Sequence, residues 1–317
     1  MSPEPAASHT AHGDDPLVSV VVPTYDRASV LPRAIESVLA QTHGGLELLI
    51  CDDGSTDDTE SVVADYDDDR IRYLPGENRG ANAARNRGIR AAMGDLVSFL
   101  DSDDEYHPER LARTVDALSG EPSACAGAFT SYWKVRDGEP SDLIRARDGR
   151  VTRRDIARAN VVGGFSCTTF RRAVFDRVGL LREDLASSQD YEFFLRVFRE
   201  HYMVGIPAIL VTCHGHGGQI SADIERKLAG QRTILEEYGD EITDARRAQH
   251  HYMRGQLYAD AGRMGEAARA FAEAVRIDPR AWRYYYYALA ARLGRRPYRT
   301  ATGLKNRVKV ALHRVRT

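Results

Sequence analysis

Two carboxylates stand two residues apart in Asp101-Ser102-Asp103, directly after the apolar run 96–100. A pair with this spacing at the end of a buried strand offers the oxygen ligands that Mg²⁺ and Mn²⁺ prefer. A cation bound there keeps coordination positions open for the oxygens of a diphosphate. The same triplet also occurs in acidic turns that bind nothing. By itself, therefore, it does not separate a metal site from a turn.

Similar polar clusters follow two earlier apolar runs. They are Thr24-Tyr25-Asp26-Arg27 and Asp52-Asp53-Gly54-Ser55. One such cluster is compatible with turn chemistry alone. Ligands of parallel sheets, however, gather outside the carboxyl ends of the strands. Three polar clusters at successive strand ends therefore indicate a single ligand cleft.

The elements that position these clusters alternate between strand and helix. Short apolar runs predict strands at 17–22, 46–51, 71–74 and 96–100. Helical spacing predicts helices at 28–41 and 82–93, and Thr56 or Asp57 is expected to cap another helix that ends at Tyr66. This alternation predicts an α/β fold with a mostly parallel, Rossmann-like central sheet and helices on both faces.

The alternation weakens beyond Ser119. We expect a strand at 124–133, a polar stretch to about Arg150, and helices at 171–178 and 190–200. An edge strand is expected at 202–213, broken by Pro207. This half is expected to supply the acceptor side of the cleft, with specificity set by loops at 134–150 and 161–169.

Several motifs resemble those of family 2 glycosyltransferases, which have the GT-A fold, and they recur in family order and spacing over residues 17–220. They are Val18–Tyr25, Cys51–Asp57, Glu77–Gly80, Ala84–Asn86 and Phe99–Asp104. The resemblance implies an inverting, metal-dependent transferase. Its donor would be a nucleotide-diphosphate sugar, most often a UDP-sugar, and its acceptor a hydroxyl or a phosphate.

The resemblance also implies which residues bind the nucleotide sugar: Pro23, Thr24, Tyr25, Arg27, Asp53, Asn78, Arg79, Arg85, Asp101 and Ser102. Tyr25 would lie against the base, and Asp53 would accept a hydrogen bond from its N–H. Arg79 or Arg85 would steady the diphosphate, because a guanidinium matches phosphate geometry. The alternative roles are a packed aromatic ring for Tyr25, a turn residue for Asp53, and a surface charge for Arg79 and for Arg85.

For the metal, the resemblance implies Asp103 as the main ligand of Mn²⁺ or Mg²⁺, with Asp101 facing the ribose or the metal. His216, with Gln219 and Ser221, resembles a late family pattern and would complete the metal shell or contact a phosphate. A structural histidine is the alternative. The family often has an arginine shortly before this histidine, whereas this chain has Cys213-His214.

Inverting transfer needs a base that removes the proton of the acceptor hydroxyl. The segment 187–192 resembles the acidic motif that supplies this base in the family, and Asp190 is its aspartate. At a helix N-terminus Asp190 would also be a cap or a partner of the helix dipole. Both roles can coexist. Glu192 and Asp184 are the other candidates.

The chain turns helical from about Ala245, and residues 248–281 match the 34-residue tetratricopeptide pattern. The matching positions are Gly255, Tyr258, Ala267, Phe271, Ala274 and Pro279. One repeat cannot bury its own face. We therefore expect a helical hairpin that packs on the catalytic domain. It is either purely structural or a surface for a protein partner or a homo-oligomer.

The segment Arg295–Thr317 contains eight Lys/Arg and no acidic residue. One helical face of it is apolar, with Leu304, Val308, Ala311, Leu312 and Val315. Such a basic amphipathic helix is typical of binding to an anionic membrane surface, and a solvated helix is the alternative. Membrane binding would favour a lipid-linked acceptor, such as a polyprenyl-linked glycan. The acidic main domain and the lack of interleaved aromatics argue against nucleic acid.

Length and composition fit this organisation. The 317 residues allow one large domain with an appendage, and the net charge of −2 conceals a basic C-terminal part, since residues 241–317 carry 17 Lys/Arg against 6 Asp/Glu. Four separated cysteines argue against a zinc site or a disulfide framework. We expect a tail at 1–15, a GT-A domain at 16–240, a helical extension at 241–296 and a basic helix at 297–317.

No run is long and apolar enough for a membrane span, and the N-terminus lacks the features of a signal peptide. We therefore expect a cytoplasmic protein, peripheral on the inner face of the cell membrane. Two rival functions are a nucleotidyltransferase and a non-catalytic nucleotide-sugar-binding scaffold. The first should have a Gly-rich, basic loop after the first strand, where this chain has Pro23-Thr24-Tyr25. The second should have lost the carboxylates at the metal and base positions.

Overall fold

The computed structural model describes residues 16–136, 138–215 and 223–300. Contacts divide the chain into two compact units. The first contains the described residues up to Val151 together with Val162–Glu183 and His201–His214. The second contains Thr152–Val161, Asp184–Glu200 and the described residues from Gly215 onward. Each unit is described on its own.

Four parallel strands form the first half of the sheet in unit one. They are β1 (Val18–Thr24), β2 (Leu46–Asp52), β3 (Ile71–Pro75) and β4 (Leu96–Phe99), in the spatial order β3-β2-β1-β4. The helices between them are α1 (Leu31–Leu39), α2 (Thr59–Ala64) and α3 (Ala81–Ala91). All residues of β1, β2 and β4 are buried, which is why their sequences read as continuous apolar runs.

Helices cover both faces of this sheet. Val20 and Val22 of β1 belong to one core with α1. Val21, whose side chain points to the opposite face, meets Gly88 of α3, where a Cβ atom would lie 2.5 Å from Val21 Cγ1. The absence of a side chain at Gly88 therefore lets α3 approach the sheet. The predicted α/β fold with two helical layers is confirmed.

The remaining strands extend this sheet with antiparallel pairs. They are β5 (Glu105–Tyr106), β6 (Cys125–Arg136), β7 (Glu139–Ile144), β8 (Gly149–Val151), β9 (Thr168–Arg171) and β10 (Tyr202–Gly215). The order continues β4-β9-β6-β10-β5, with β7 on β6 and β8 on β10. The helices α4 (Arg110–Leu118) and α6 (Ala173–Val178) and a 3₁₀ turn at Phe165–Cys167 complete the unit.

Three local predictions are wrong. The strand at 202–213 is neither broken nor at an edge, because β10 runs through Pro207 between β6 and β5. The Pro207 carbonyl accepts from Ser131 Oγ at 2.8 Å. The stretches 134–150 and 161–169 contain β7, β8 and the start of β9 instead of loops alone. Asp58, and not Thr56 or Asp57, occupies the N-cap position of α2.

Unit two is helical. Its helices are α5 (Arg153–Ile156), α7 (Gln189–Val197), α8 (Ile224–Tyr238), α9 (Asp244–Asp260), α10 (Met264–Ile277) and α11 (Trp282–Arg292), and residues 295–300 are also helical. The predicted helical C-terminal region is thus confirmed. The pattern positions Tyr258, Ala267, Phe271 and Ala274 are buried in the core of α9, α10 and α11.

Gly255 explains how α9 and α10 pack closely. A Cβ atom there would lie 2.5 Å from the Phe271 ring. We expect Gly255→Ala to lower the free energy of unfolding by about 1–3 kcal/mol, because overpacking displaces the ring. The matched control is Gly265→Ala on α10, which has nothing within 4 Å and should gain up to about 1 kcal/mol. Urea unfolding measures both. A Gly255→Ala protein as stable as wild type would contradict this packing.

Candidate active site

The three polar clusters meet at one edge of the sheet in unit one. Thr24 and Asp52 are partners in the register of β1 and β2, and the Asp53 N–H donates to the Thr24 carbonyl at 2.9 Å. On the other side of β1, the Leu100 N–H donates to the Val21 carbonyl at 3.1 Å, which places Asp101 immediately beyond. The predicted convergence of the clusters after β1, β2 and β4 is therefore observed.

Asp26 ties the first cluster to the second. Its backbone adopts the left-handed conformation with φ of 48°, which aspartate tolerates because its short side chain bonds locally. Its carboxylate accepts from the Thr56 N–H at 2.7 Å, and its own N–H donates to Ser55 Oγ at 2.9 Å. The loops after β1 and β2 are thus held as one structure.

Asp53 fixes the backbone that leads into α3. Its two carboxylate oxygens accept from the N–H groups of Arg79 and Gly80, at 3.0 and 2.7 Å, and the residue is buried. Gly54 has φ of +82°, and a Cβ atom there would lie 3.0 Å from the Asn78 nitrogen. The turn role of Asp53 is therefore observed directly. Its contact with the base remains a prediction.

Pro23 and Thr24 are buried at the end of β1, whereas Tyr25 is 45% exposed. The alternative of a packed aromatic ring is thus wrong for Tyr25, and its exposed ring is free to stack on a planar base. Arg27 is half-buried, and its N–H donates to Thr59 Oγ1 at 3.3 Å. Thr24 Oγ1 is buried and has no hydrogen-bond partner among the described residues. Such a hydroxyl is available to hydrogen-bond a ligand at this strand end.

The two candidate arginines differ sharply. The Arg85 guanidinium is buried, donates to Asp101 Oδ1 at 2.6 Å and to Asn82 Oδ1 at 3.1 Å, and lies 4.8 Å from the Phe165 ring centroid. A surface charge is therefore wrong for Arg85. Arg79 is exposed and pairs with Glu183 at 2.9 Å, while neighbouring Asn78 is also exposed.

Asp104 supports the Asp101-Ser102-Asp103 triplet and was not among the predicted site residues. It is buried, and its carboxylate accepts from Ser166 Oγ at 2.6 Å and from the His214 N–H at 3.0 Å. Burial and the charges of Asp101 and Asp103 raise the pKa of Asp104 well above its usual range. The only signal for Asp104 in the sequence was its position as the third aspartate within residues 101–104, directly after β4.

The remaining carboxylates fit a hard divalent cation. The Asp101 side chain is 40% exposed, Asp103 and Ser102 are buried, and the Asp103 carbonyl accepts from the Arg33 guanidinium. Among residues 16–136, 138–215 and 223–300, no three His, Cys, Asp or Glu side chains converge as a closed metal cage. Two carboxylates leave the open positions that a cation shared with a diphosphate needs. His216, the third predicted ligand, lies outside the described residues.

Asp190 belongs to unit two, in the first turn of α7. Ser188 before it has a left-handed backbone with φ of 61°, and the Tyr191 N–H donates to Asp190 Oδ1 at 2.7 Å. The other two candidates differ from it. Glu192 is fully buried and accepts from Arg196 at 2.7 Å and from the Tyr238 hydroxyl, while Asp184 is exposed. The carboxylate of Glu192 is thus committed to the core.

This sheet, with its acidic strand end, defines the GT-A class of fold, and solved structures share it. The structure of S. aureus TarS 1-349 in complex with UDP-GlcNAc superposes with a TM-score of 0.63 at 19% identity, covering 92% of each chain. The mannosyltransferase PcManGT from Pyrobaculum calidifontis, in complex with GDP-Man and Mn²⁺, gives 0.60 at 21% identity, covering 96% of this chain and 88% of the other.

The sequence model described as glycosyl transferase family 2 matches residues 19–179, and the chain belongs to this family. An uncharacterized glycosyltransferase of Rickettsia prowazekii is 29% identical over 64% of this chain and 65% of its own length. The putative teichuronic acid biosynthesis glycosyltransferase TuaG of Bacillus subtilis is 36% identical over 47% of this chain and 60% of its own length. The chain therefore spans less than two thirds of these relatives.

We expect Asp53→Ala to destabilise unit one by roughly 1–3 kcal/mol, because the N–H groups of Arg79 and Gly80 lose their charged acceptor. Asp58→Ala is the matched control, since the Asp58 side chain makes no capping bond to α2 and its loss should cost little. Chemical denaturation of both variants measures the difference. Equal stability of the two would show that the carboxylate of Asp53 does not hold the turn.

Proposed function

We propose that this chain is an inverting glycosyltransferase that moves a sugar from a nucleotide-diphosphate sugar to an acceptor hydroxyl or phosphate. The observation that carries this proposal is the junction of three strand ends around Asp53, together with the ion pair between the buried Arg85 and Asp101. Family membership supports glycosyl transfer. We propose a UDP-sugar as the donor. A GDP-sugar is the alternative donor to test, because one structural neighbour is a complex with GDP-Man.

For the donor, we assign the base to the exposed ring of Tyr25, next to Pro23, Thr24 and Arg27. The Thr24 hydroxyl, which is buried without a hydrogen-bond partner among the described residues, supplies a polar group at the same strand end. The N-terminus of α3 carries partial positive charge, and Asn78 and Arg79 precede it, so this segment suits the diphosphate.

For the metal, we assign Mn²⁺ or Mg²⁺ to Asp103 and Asp101, with His216 as a further ligand. A bound divalent cation neutralises the charge that develops on the leaving diphosphate. Arg85 prepares this arrangement because its buried guanidinium holds one oxygen of Asp101 in place. Asp104 and Ser166 fix the backbone around the triplet, since Ser166 Oγ accepts from the Asp101 N–H at 3.1 Å and donates to Asp104.

For the base, we assign Asp190. It removes the proton of the acceptor hydroxyl as the oxygen attacks the anomeric carbon on the side opposite the diphosphate, and this single displacement inverts the centre. The ion pair of Glu192 with Arg196 keeps that neighbouring carboxylate in a structural role.

The acceptor is proposed to be a glycan or a polyprenyl-linked molecule at the inner face of the cell membrane. The basic segment Arg295–Thr317 would bind the anionic surface there, although 301–317 lie outside the described residues. Among the residues that the structure covers, no helix has the length and apolarity to cross a bilayer. We assign the catalytic domain to 16–240 and propose that the helices of 241–296 bind a protein partner or a second copy of the chain.

We expect Asp103→Asn to lower sugar transfer or donor hydrolysis at least about a hundredfold, because several kcal/mol of charge stabilisation are lost. Nucleotide release from UDP-, GDP- and dTDP-sugars with Mn²⁺ or Mg²⁺ measures this loss and identifies the donor. Asp58→Asn, on the surface of the same unit, is the control. Donor binding without turnover in the wild-type protein would favour the binding scaffold over the enzyme.

We expect Asp190→Asn to lower kcat by about 10²–10⁴-fold, while the donor still binds, because only the proton transfer is lost. Asp184→Asn should retain activity, since that exposed side chain is assigned no role. Steady-state kinetics with a hydroxyl acceptor, and donor binding by thermal shift, separate the two effects. Normal kcat in Asp190→Asn would remove Asp190 as the base.

A further inference from the structure

The helix α11 is apolar on both sides. Its inner side chains are buried in the core of unit two, namely Tyr284, Tyr287, Ala290 and Ala291. Its outer side chains are large and exposed: Trp282 (77%), Tyr285 (49%), Tyr286 (41%), Leu289 (60%) and Leu293 (65%). Apolar side chains on the exposed side of a helix, in addition to those that its core buries, call for a partner that covers them.

These five exposed side chains form one continuous surface, here called the outer face. Their spacing places them within a sector of about 100° around the helix axis, given 3.6 residues per turn. Scattered exposed apolar residues need no explanation, but a contiguous set marks an interaction site. Three of the five are Trp or Tyr, whose rings combine an apolar body with a polar tip.

The charged residues of the chain segment that contains α11 are all of one sign. Between Pro279 and Thr300 the chain has six arginines and no acidic residue. Arg292 stands beside Leu293 at the edge of the outer face, and Arg295, Arg296 and Arg299 follow, all of them exposed. A partner that covers this surface must therefore accept aromatic and leucine side chains at its centre and positive charge at its border.

We propose that the outer face of α11 binds the interface of an anionic lipid bilayer. Trp and Tyr rings sit at the level of the lipid headgroups, while Leu side chains enter the acyl boundary and arginines meet the anionic phosphates. A second copy of this chain fits less well, because face-to-face contact would bring two arginine borders together. This surface lies on described residues, whereas the segment 304–315 lies outside them.

Trp282 provides a direct probe, because the chain has two tryptophans and Trp133→Phe leaves only Trp282. In the full-length Trp133→Phe protein, we expect vesicles of equimolar phosphatidylcholine and phosphatidylglycerol to shift Trp282 emission to the blue. Brominated acyl chains in those vesicles should quench it. Pure phosphatidylcholine vesicles should produce a much smaller shift, because the arginine border then has no partner.

In the same background, Leu289→Gln with Leu293→Gln should weaken partitioning into the anionic vesicles about tenfold or more, at unchanged net charge. Both side chains are exposed and glutamine is a good helix former, so the fold should persist. Met93→Gln is the matched control, since Met93 is an equally exposed apolar side chain in unit one. It should partition like its parent.

Three results would overturn the proposal. One is an unshifted Trp282 emission in the anionic vesicles. Another is undiminished partitioning of the double glutamine variant, which would assign binding to the basic segment alone. The third is a Trp282 already protected from acrylamide without vesicles, in a monomer or in a dimer that the double variant dissociates. That result would mean that the chain itself, or a second copy, covers the outer face. The outer face is assigned no role in sugar transfer. The vesicle experiment and the Asp103→Asn activity measurement can therefore fail independently of each other.

Discussion

The buried carboxylate of Asp53 connects the end of β2 to the turn that begins α3, and the geometry of the cleft depends on this connection. Its two oxygens accept from consecutive N–H groups, at Arg79 and Gly80. Charge-assisted bonds of this kind are about twice as strong as neutral ones. Because α3 starts where Asp53 places it, Arg85 on the next turn reaches Asp101 after β4. The Asp53 carboxylate thus connects the end of β2, through α3, to the end of β4.

Asp101, Asp103 and Asp104 concentrate negative charge after β4, and because Asp103 and Asp104 are buried, the fold must compensate this charge. Asp101 has the buried guanidinium of Arg85 as its partner. Asp104 receives hydrogen bonds from Ser166 and His214, and its pKa is raised by burial and by its neighbours. Isolated buried charges are expensive, so such compensation is required. The side chain of Asp101 is the one that remains partly exposed.

The core of unit two consists mainly of alanine and aromatic side chains. The aromatic rings pack against one another: the ring centroids of Tyr252 and Phe271 lie 5.5 Å apart, and Tyr287 and Tyr298 pack around them. Gly255 allows the close approach that these rings need. The helix α11 also carries aromatic rings that this core does not bury, at Trp282, Tyr285 and Tyr286.

The sequence by itself determined the strands β1 to β4, the helices between them and the convergence of their polar ends, because local apolar periodicity and parallel topology suffice for these features. The helical hairpin was likewise readable from its repeat positions. Only the tertiary structure decided that β10 is an inner strand despite Pro207, that Arg85 is buried against Asp101, and that Asp104 supports the triplet. Each of these depends on partners 16 to 110 residues away along the chain, and side-chain partners at such separations leave no mark in local sequence periodicity.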